Sequence, residues 1–301
     1  MSLVSFVLKS RLMPTFKITL AYDGTDYVGW QRQANGVSIQ EVIEDALREL
    51  DGRAVAVAGA GRTDSGVHAL GQVAAFTIER ALAPDAVLRA LNAHLPGDIR
   101  VMSADEVPAS FHPRFDARTK TYRYRIWNGD VVSPFERRYA WHAAGALDVD
   151  AMRAAARLVE GTHDFAAFQA SGSDVVTTVR EVVESRVMRI ADCGLRIDSG
   201  LGIADRGFGE IHNPQSVIDN QSAIRNPPSE ILAYEVTGTG FLRHMVRTIV
   251  GTLVEVGRGR RPVGWMADVL ASRDRAAAGP TSPAAGLFLV RVDYGPVAAK
   301  P

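Results

Sequence analysis

The chain has 301 residues, 47% of them hydrophobic, which is enough for one large or two ordinary domains with a sizeable core. Thirty-four basic residues balance thirty-four acidic ones, the single cysteine (Cys193) excludes an internal disulfide and any multi-cysteine zinc site, and the seven histidines lack close ligand spacing. With no apolar run near the roughly 20 residues that span a bilayer, the expectation is a cytoplasmic protein of a reducing compartment, without metal, cofactor or membrane segment.

Residues 1–12, MSLVSFVLKSRL, read as an N-terminal extension rather than a secretion signal: the apolar part is brief, the basic residues follow it, and no small-residue cleavage site appears. Translation is expected to start at Met13. Residues 15–22 alternate as a strand, and Ser38 then opens a helix, with Glu41 completing a capping box. Ile39, Val42, Ile43, Ala46, Leu47 and Leu50 form its apolar stripe and Gly52 stops it. Strands at 54–58 and 72–78, a helix at 84–94 and a strand at 99–106 complete a βαββαβ order, that of a ferredoxin-like unit.

The second half repeats the pattern with strands at 119–127 and 137–142, a helix at 150–160, and strands at 179–190 and 231–238. A helix at 241–256, a shorter one after Pro262 and a strand at 287–293 follow. The expected class is α+β: two ferredoxin-like halves, 13–115 and 116–295, forming a long, mostly antiparallel sheet with helices on one side and a central cleft. Residues 296–301 are a tail. Residues 191–229 interrupt two strands with a segment rich in Gly, Asn, Pro, Ser and Asp and with near-repeats (IAD twice, NPQS and NPPS). They hold too few apolar side chains to offset ordering entropy, and read as a flexible insertion.

Chemistry concentrates in GAGRTDSGVHALGQVAAF, residues 59–76, which sets the carboxylate of Asp64 among glycines and beside Arg62. A dinucleotide loop would need another glycine where Asp64 stands, and a nucleophile elbow around Ser65 would need glycine where Thr63 stands. An ordinary Asx-turn remains open. Basic residues gather in two stretches, Arg114, Arg118, Lys120, Arg123, Arg125, Arg137 and Arg138, then Arg243, Arg247, Arg258, Arg260 and Arg261. They are either solvated faces or, if they flank one cleft, a phosphate track.

The segment 59–76 resembles the signature of the tRNA pseudouridine synthase A family, in which the Asp of an RTD triplet is catalytic. AYDGTDYVGWQRQ (21–33), NAHLPGDIRV (92–101), FHPRFDARTKTYRYRI (111–126) and FLRHMVRTIVGTLVEVG (241–257) resemble that family too, in the same order. The resemblance implies an isomerase acting at uridines 38, 39 and 40 of the tRNA anticodon arm, as a homodimer that holds one tRNA across both subunits. It implies that Asp64 acts at the ribose, that Arg247 pairs with it, and that Tyr122 stacks on the uracil and takes the C5 proton. Arg62 would replace the displaced base or grip phosphate, and Arg243, Arg32, His68 and Gln72 are further candidates for RNA contact. From pattern alone, Tyr122 and Tyr124 share one strand face and both suit a core, while Arg243 and Arg247 lie four apart on a helix face away from the apolar stripe. A non-catalytic RNA-binding protein and, less well supported, a hydrolase using Asp64 are the other functional readings.

Overall fold

The computed structural model describes residues 13–170, 175–190 and 230–295. The expected N-terminal extension, the insertion at 191–229 and the tail lie outside the described residues. Strands β1 (Thr15–Tyr22), β2 (Ala58–Gly59), β3 (His68–Thr77) and β4 (Ile99–Val107) make the first half with helices α1 (Ile39–Asp51) and α2 (Pro84–His94). The second holds β5 (Thr119–Asn128), β6 (Trp141–His142), β7 (Gly161–Asp164), β8 (Val179–Arg189), β9 (Glu230–Gly238) and β10 (Leu287–Asp293), with α3 (Val149–Arg157), α4 (Met245–Gly257) and α5 (Trp265–Ser272). The ten strands form one sheet in the order β4-β1-β3-β10-β5-β9-β8-β7, with β2 on β3 and β6 on β5, and the five helices lie on one side.

The duplication is visible in that order. In the first half β4 lies beside β1, β1 beside β3, and β3 beside β2; in the second the neighbours are β10-β5-β9-β8. Each half thus places its last strand next to its first, as a ferredoxin-like unit does. The halves join where β10 runs parallel to β3 through two pairs, Phe288 with His68 and Leu289 with Ala69. Gly71 makes the seam close, since a Cβ there would stand 2.4 Å from the Val290 carbonyl oxygen. Leu289 also pairs with Tyr122 of β5, so Ala69, Leu289 and Tyr122 sit abreast on three neighbouring strands. The sheet therefore brings the start of β3, just after Asp64, within about 10 Å of Tyr122, two strand spacings.

Local signals explain most elements. The Ser38 side chain accepts from the Glu41 N–H and Gly52 caps α1 at φ 76°, with Ile39, Ile43, Ala46, Leu47 and Leu50 buried beneath. The reciprocal half of the capping box is replaced, because the Glu41 carboxylate pairs with Arg32 at 3.2 Å. The expected strand at 54–58 shrinks to Ala58–Gly59. Side chains of α1 take the backbone groups a strand would have offered: Gln40 donates to the Val57 carbonyl and Glu44 accepts from the Val57 N–H. Likewise 137–142 is a strand only at Trp141–His142. The strand Gly161–Asp164 was not expected, since GTHD at the sheet edge carries no apolar alternation. The helix expected from residue 241 starts at Met245, because His244 takes a left-handed conformation (φ 63°) that no helix passes through.

Across β5, β9 and β8, Glu235 accepts from Arg123 at 2.7 Å and from Arg186, and is only 8% exposed. Burial alone would raise this carboxyl, but the hydrogen bonds from Arg123 and Arg186 hold it below its ordinary value of 4.5. A lowered folded-state pKa contributes stability that is present above pH 4.5 and is lost as pH falls through the folded value. Glu235→Gln is expected to cost about 2 kcal/mol at pH 7. The gap to the parent should close progressively below pH 4.5. Urea unfolding at pH 7 and pH 3 checks this, and a gap independent of pH would refute it.

Candidate active site

Asp64 sits in a turn built by two segments that clasp each other. Residues 59–67 connect β2 to β3, and 23–30 follow β1. The Trp30 N–H donates to the Thr63 carbonyl at 3.0 Å, the Gly66 N–H to the Tyr27 carbonyl at 3.3 Å, and the Val67 N–H closes the turn on the Asp64 carbonyl at 3.1 Å. Gly29 and Asp64 pair as an isolated antiparallel bridge, and the Ser65 hydroxyl also reaches the Tyr27 carbonyl. Two glycines admit this approach. A Cβ on Gly24 would lie 2.0 Å from the Val67 carbonyl oxygen, and one on Gly29 (φ 113°) 2.5 Å from that of Thr63. Beneath, the Gln72 amide donates to the Gly61 carbonyl at 2.8 Å and the Tyr22 and Thr63 hydroxyls lie 2.9 Å apart.

The Asp64 side chain is 29% exposed and faces the start of α4. Arg247 Nη1 lies 3.8 Å from Asp64 Oδ2, a charge–charge contact longer than a hydrogen bond. The guanidinium is fixed by its Nε, which donates to the Ser282 carbonyl at 2.7 Å. Arg247 is not on a solvated face: α4 is buried almost all round, and this side chain is 14% exposed. Arg243 precedes the helix, exposed, and its guanidinium has no partner among the described residues.

Tyr122 and Tyr124 share a face but not an environment. The Tyr124 hydroxyl donates to the Pro283 carbonyl at 2.7 Å, which makes it a tethered core residue. Tyr122 meets Phe241 edge-on at 5.0 Å, its hydroxyl lies 3.9 Å from where a Cβ on Gly61 would stand, and it makes no hydrogen bond among the described residues. The aliphatic end of Lys120 lies against the same glycine, at 3.6 Å from that point. Burial, reinforced by the charge of Arg114, lowers the Lys120 pKa.

Arg62 is exposed and unpartnered among the described residues, beside Asp64. Arg32 is exposed but held by Glu41 and Glu44. His68 and Gln72 are 1% and 0% exposed, so the structure places both as supports of the turn rather than as surfaces for RNA. His68 Nδ1 lies 3.1 Å from both the Gly24 nitrogen and Asp23 Oδ1, Nε2 lies 3.0 and 3.2 Å from the Arg138 and Ala285 carbonyl oxygens, and burial lowers its pKa against the pull of Asp23. The two basic stretches do not simply flank the cleft. Arg123, Arg125 and Arg138 pair with Glu235, Glu136 and Asp26, and Arg258 and Arg260 pair with Glu255 near the far end of α4, about 20 Å from its start.

One neighbour of Asp64 escaped the sequence pattern. His244 Nε2 lies 3.6 Å from Asp64 Oδ2, and His244 and Arg273 are the non-glycine residues with positive φ among those described. The only cue was a histidine between arginines in FLRHMVR.

A family model described as tRNA pseudouridine synthase matches residues 18–116 and 155–295. The tRNA pseudouridine synthase A of Myxococcus xanthus is 44% identical over 96% of this chain and 96% of its own length. Those of Pelobacter propionicus and Geobacter sulfurreducens are each 43% identical over 94% of this chain and all of their own.

Proposed function

The chain belongs to the tRNA pseudouridine synthase A family, enzymes that convert uridine in tRNA to pseudouridine, and we propose that its targets are uridines 38, 39 and 40 of the anticodon arm, with Asp64 the reacting carboxylate. The observation that carries the site assignment is the arrangement itself. A part-exposed carboxylate is locked in a tight turn, with a fixed guanidinium 3.8 Å away and an untethered tyrosine nearby.

The reaction breaks the bond from C1′ to N1, turns the uracil and rejoins it through C5. It is redox-neutral, and needs a carboxylate at the sugar, a cation beside it, a base for the C5 proton and a pocket for an extruded uridine. Asp64 acts at the ribose, either by covalent attack at C1′ or by assisting formation of a glycal. Arg247 stays with the carboxylate, and its bond to Ser282 keeps the charge from swinging away. Tyr122 stacks on the uracil and takes the C5 proton, Arg62 takes the space of the flipped base or grips phosphate, and Arg243 contacts the backbone. Extrusion costs a few kcal/mol, which stacking and phosphate contacts offset. Adjacent target positions require recognition by shape, 2′-hydroxyl and phosphate rather than by base edges. The family resemblance further supports a homodimer that holds one tRNA across both subunits, and the single Cys193 supports a cytoplasmic location. Among the described residues no helix is long and apolar enough to cross a membrane.

Transcripts in which uridines 38, 39 and 40 are replaced by cytidine test the target. They are expected to bind as the parent tRNA does and to yield no pseudouridine, while restoring one uridine restores product there alone. Product elsewhere in the tRNA would overturn the assignment.

A further inference from the structure

Residues 279–286, GPTSPAAG, lead into β10 and run back along α4 on the way. The Gly279 N–H donates to the Thr252 hydroxyl at 3.0 Å, the Thr281 and Thr248 hydroxyls lie 3.4 Å apart, and the Ser282 N–H donates to the Arg247 carbonyl at 3.2 Å. Gly251 makes this approach possible, because a Cβ there would stand 1.7 Å from the Pro280 carbonyl oxygen. Ser282 therefore holds Arg247 twice. Its N–H takes the main chain, and its carbonyl accepts from the guanidinium Nε at 2.7 Å.

The residues that follow turn to the other parts of the site. Pro283 offers its carbonyl to the Tyr124 hydroxyl of β5 at 2.7 Å. Ala284 packs against the Asp64 turn, its Cβ 3.3 Å from where one on Gly66 would stand. The Ala285 carbonyl oxygen lies 3.2 Å from His68 Nε2 at the start of β3. Gly286 then lets the segment close on β5, since a Cβ there would stand 2.7 Å from both the Tyr124 ring and the Arg125 carbonyl oxygen. One short piece of main chain thus ties together the guanidinium, β5 and the turn that bears the carboxylate.

Tyr124 anchors that piece. Its ring is fully buried on a central strand, so the hydroxyl stays fixed and Pro283 is held to it. We propose that Tyr124 is a positioning residue for the isomerisation: by holding Pro283 it holds Ser282, and through Ser282 it sets the Arg247 guanidinium 3.8 Å from Asp64. The role rests on Asp64 and Arg247 being the reacting carboxylate and its cation. Loss of the hydroxyl leaves the ring in the core and removes only the tie. The guanidinium then strays from the carboxylate, and a displacement near 1 Å costs about 10²-fold in rate. Groups that meet tRNA are untouched.

The test is single-turnover rates at saturating enzyme, with binding affinities on the same tRNA transcript, for the parent, Tyr124→Phe, Arg247→Met, the double variant and Tyr234→Phe. Tyr234 is the control: it pairs with Tyr124 across β5 and β9, is equally buried, and its hydroxyl lies 3.0 Å from that of Ser185. Tyr124→Phe is expected to bind tRNA within about threefold of the parent and to react about 10- to 10²-fold slower, while Tyr234→Phe keeps the parent's saturated rate. In the Arg247→Met background, itself about 10²-fold slow or worse, Tyr124→Phe should add at most about threefold, because its effect passes through the group already removed. Gly286→Ala presses on the same contact from the other side and is expected to repeat the Tyr124→Phe pattern; it decides by the same criteria if the phenylalanine variant does not fold. A folded Tyr124→Phe at the parent's saturated rate, a loss shared equally by Tyr234→Phe, or a loss that multiplies fully with that of Arg247→Met overturns the proposal. The parent's rate in Arg247→Met would instead bring down the reading of Asp64 and Arg247 as the reacting pair.

Discussion

Replacing Asp64 with asparagine is expected to lower pseudouridine formation by at least about 10⁴-fold, or ~5.4 kcal/mol of transition-state stabilisation, with tRNA affinity nearly unchanged. Asparagine keeps the shape and occupies the same turn, whose closure depends on backbone groups: the Val67 N–H to the Asp64 carbonyl and the Gly29 bridge. What it removes is the charge and nucleophilicity facing Arg247. Single-turnover rates and filter-binding affinities on one transcript separate these effects. A loss of binding equal to the loss of rate would mean that Asp64 holds RNA rather than reacts with it.

Gly24→Ala is expected to cost about 3 kcal/mol of stability and about 10²-fold in rate, without touching any group that meets substrate. The added methyl would stand 2.0 Å from the Val67 carbonyl oxygen and 2.7 Å from its carbon, both backbone, so the turn bearing Asp64 must move. A displacement near 1 Å is enough to spoil a reacting geometry. Gly264→Ala, where a Cβ meets nothing within 4 Å, is the control and should leave both quantities unchanged. Urea unfolding and single-turnover rates measure the pair, and a Gly24→Ala enzyme with the parent's rate would show that the clasp is not what positions Asp64.

The sequence revealed the fold where local chemistry and burial agree. Ser38, the stripe from Ile39 to Leu50 and Gly52 define α1, and the alternation in TFKITLAY and LFLVRVD defines β1 and β10. It failed where another element supplies a backbone partner, as Gln40 and Glu44 do for Val57, or where a strand at the edge needs no apolar side chains, as in GTHD. The site was legible as residue types brought near one another, since Asp64, Tyr122 and Arg247 do converge across the seam of the two halves. Its supports were not. Pattern gives a face to His68 and Gln72 but cannot say that the face is covered, and it gives Gly24 and Gly29 freedom without saying which carbonyl approaches them. His244 was hidden because a left-handed residue breaks the helix period just where FLRHMVR looks most helical.

Tritium release from 5-tritiated uridine in an anticodon-arm transcript, followed by mapping of the product, tests the central claim most directly. The account predicts that tritium appears in water in step with pseudouridine at positions 38, 39 and 40. A protein that binds the transcript tightly, releases no tritium and leaves those uridines unchanged would contradict it.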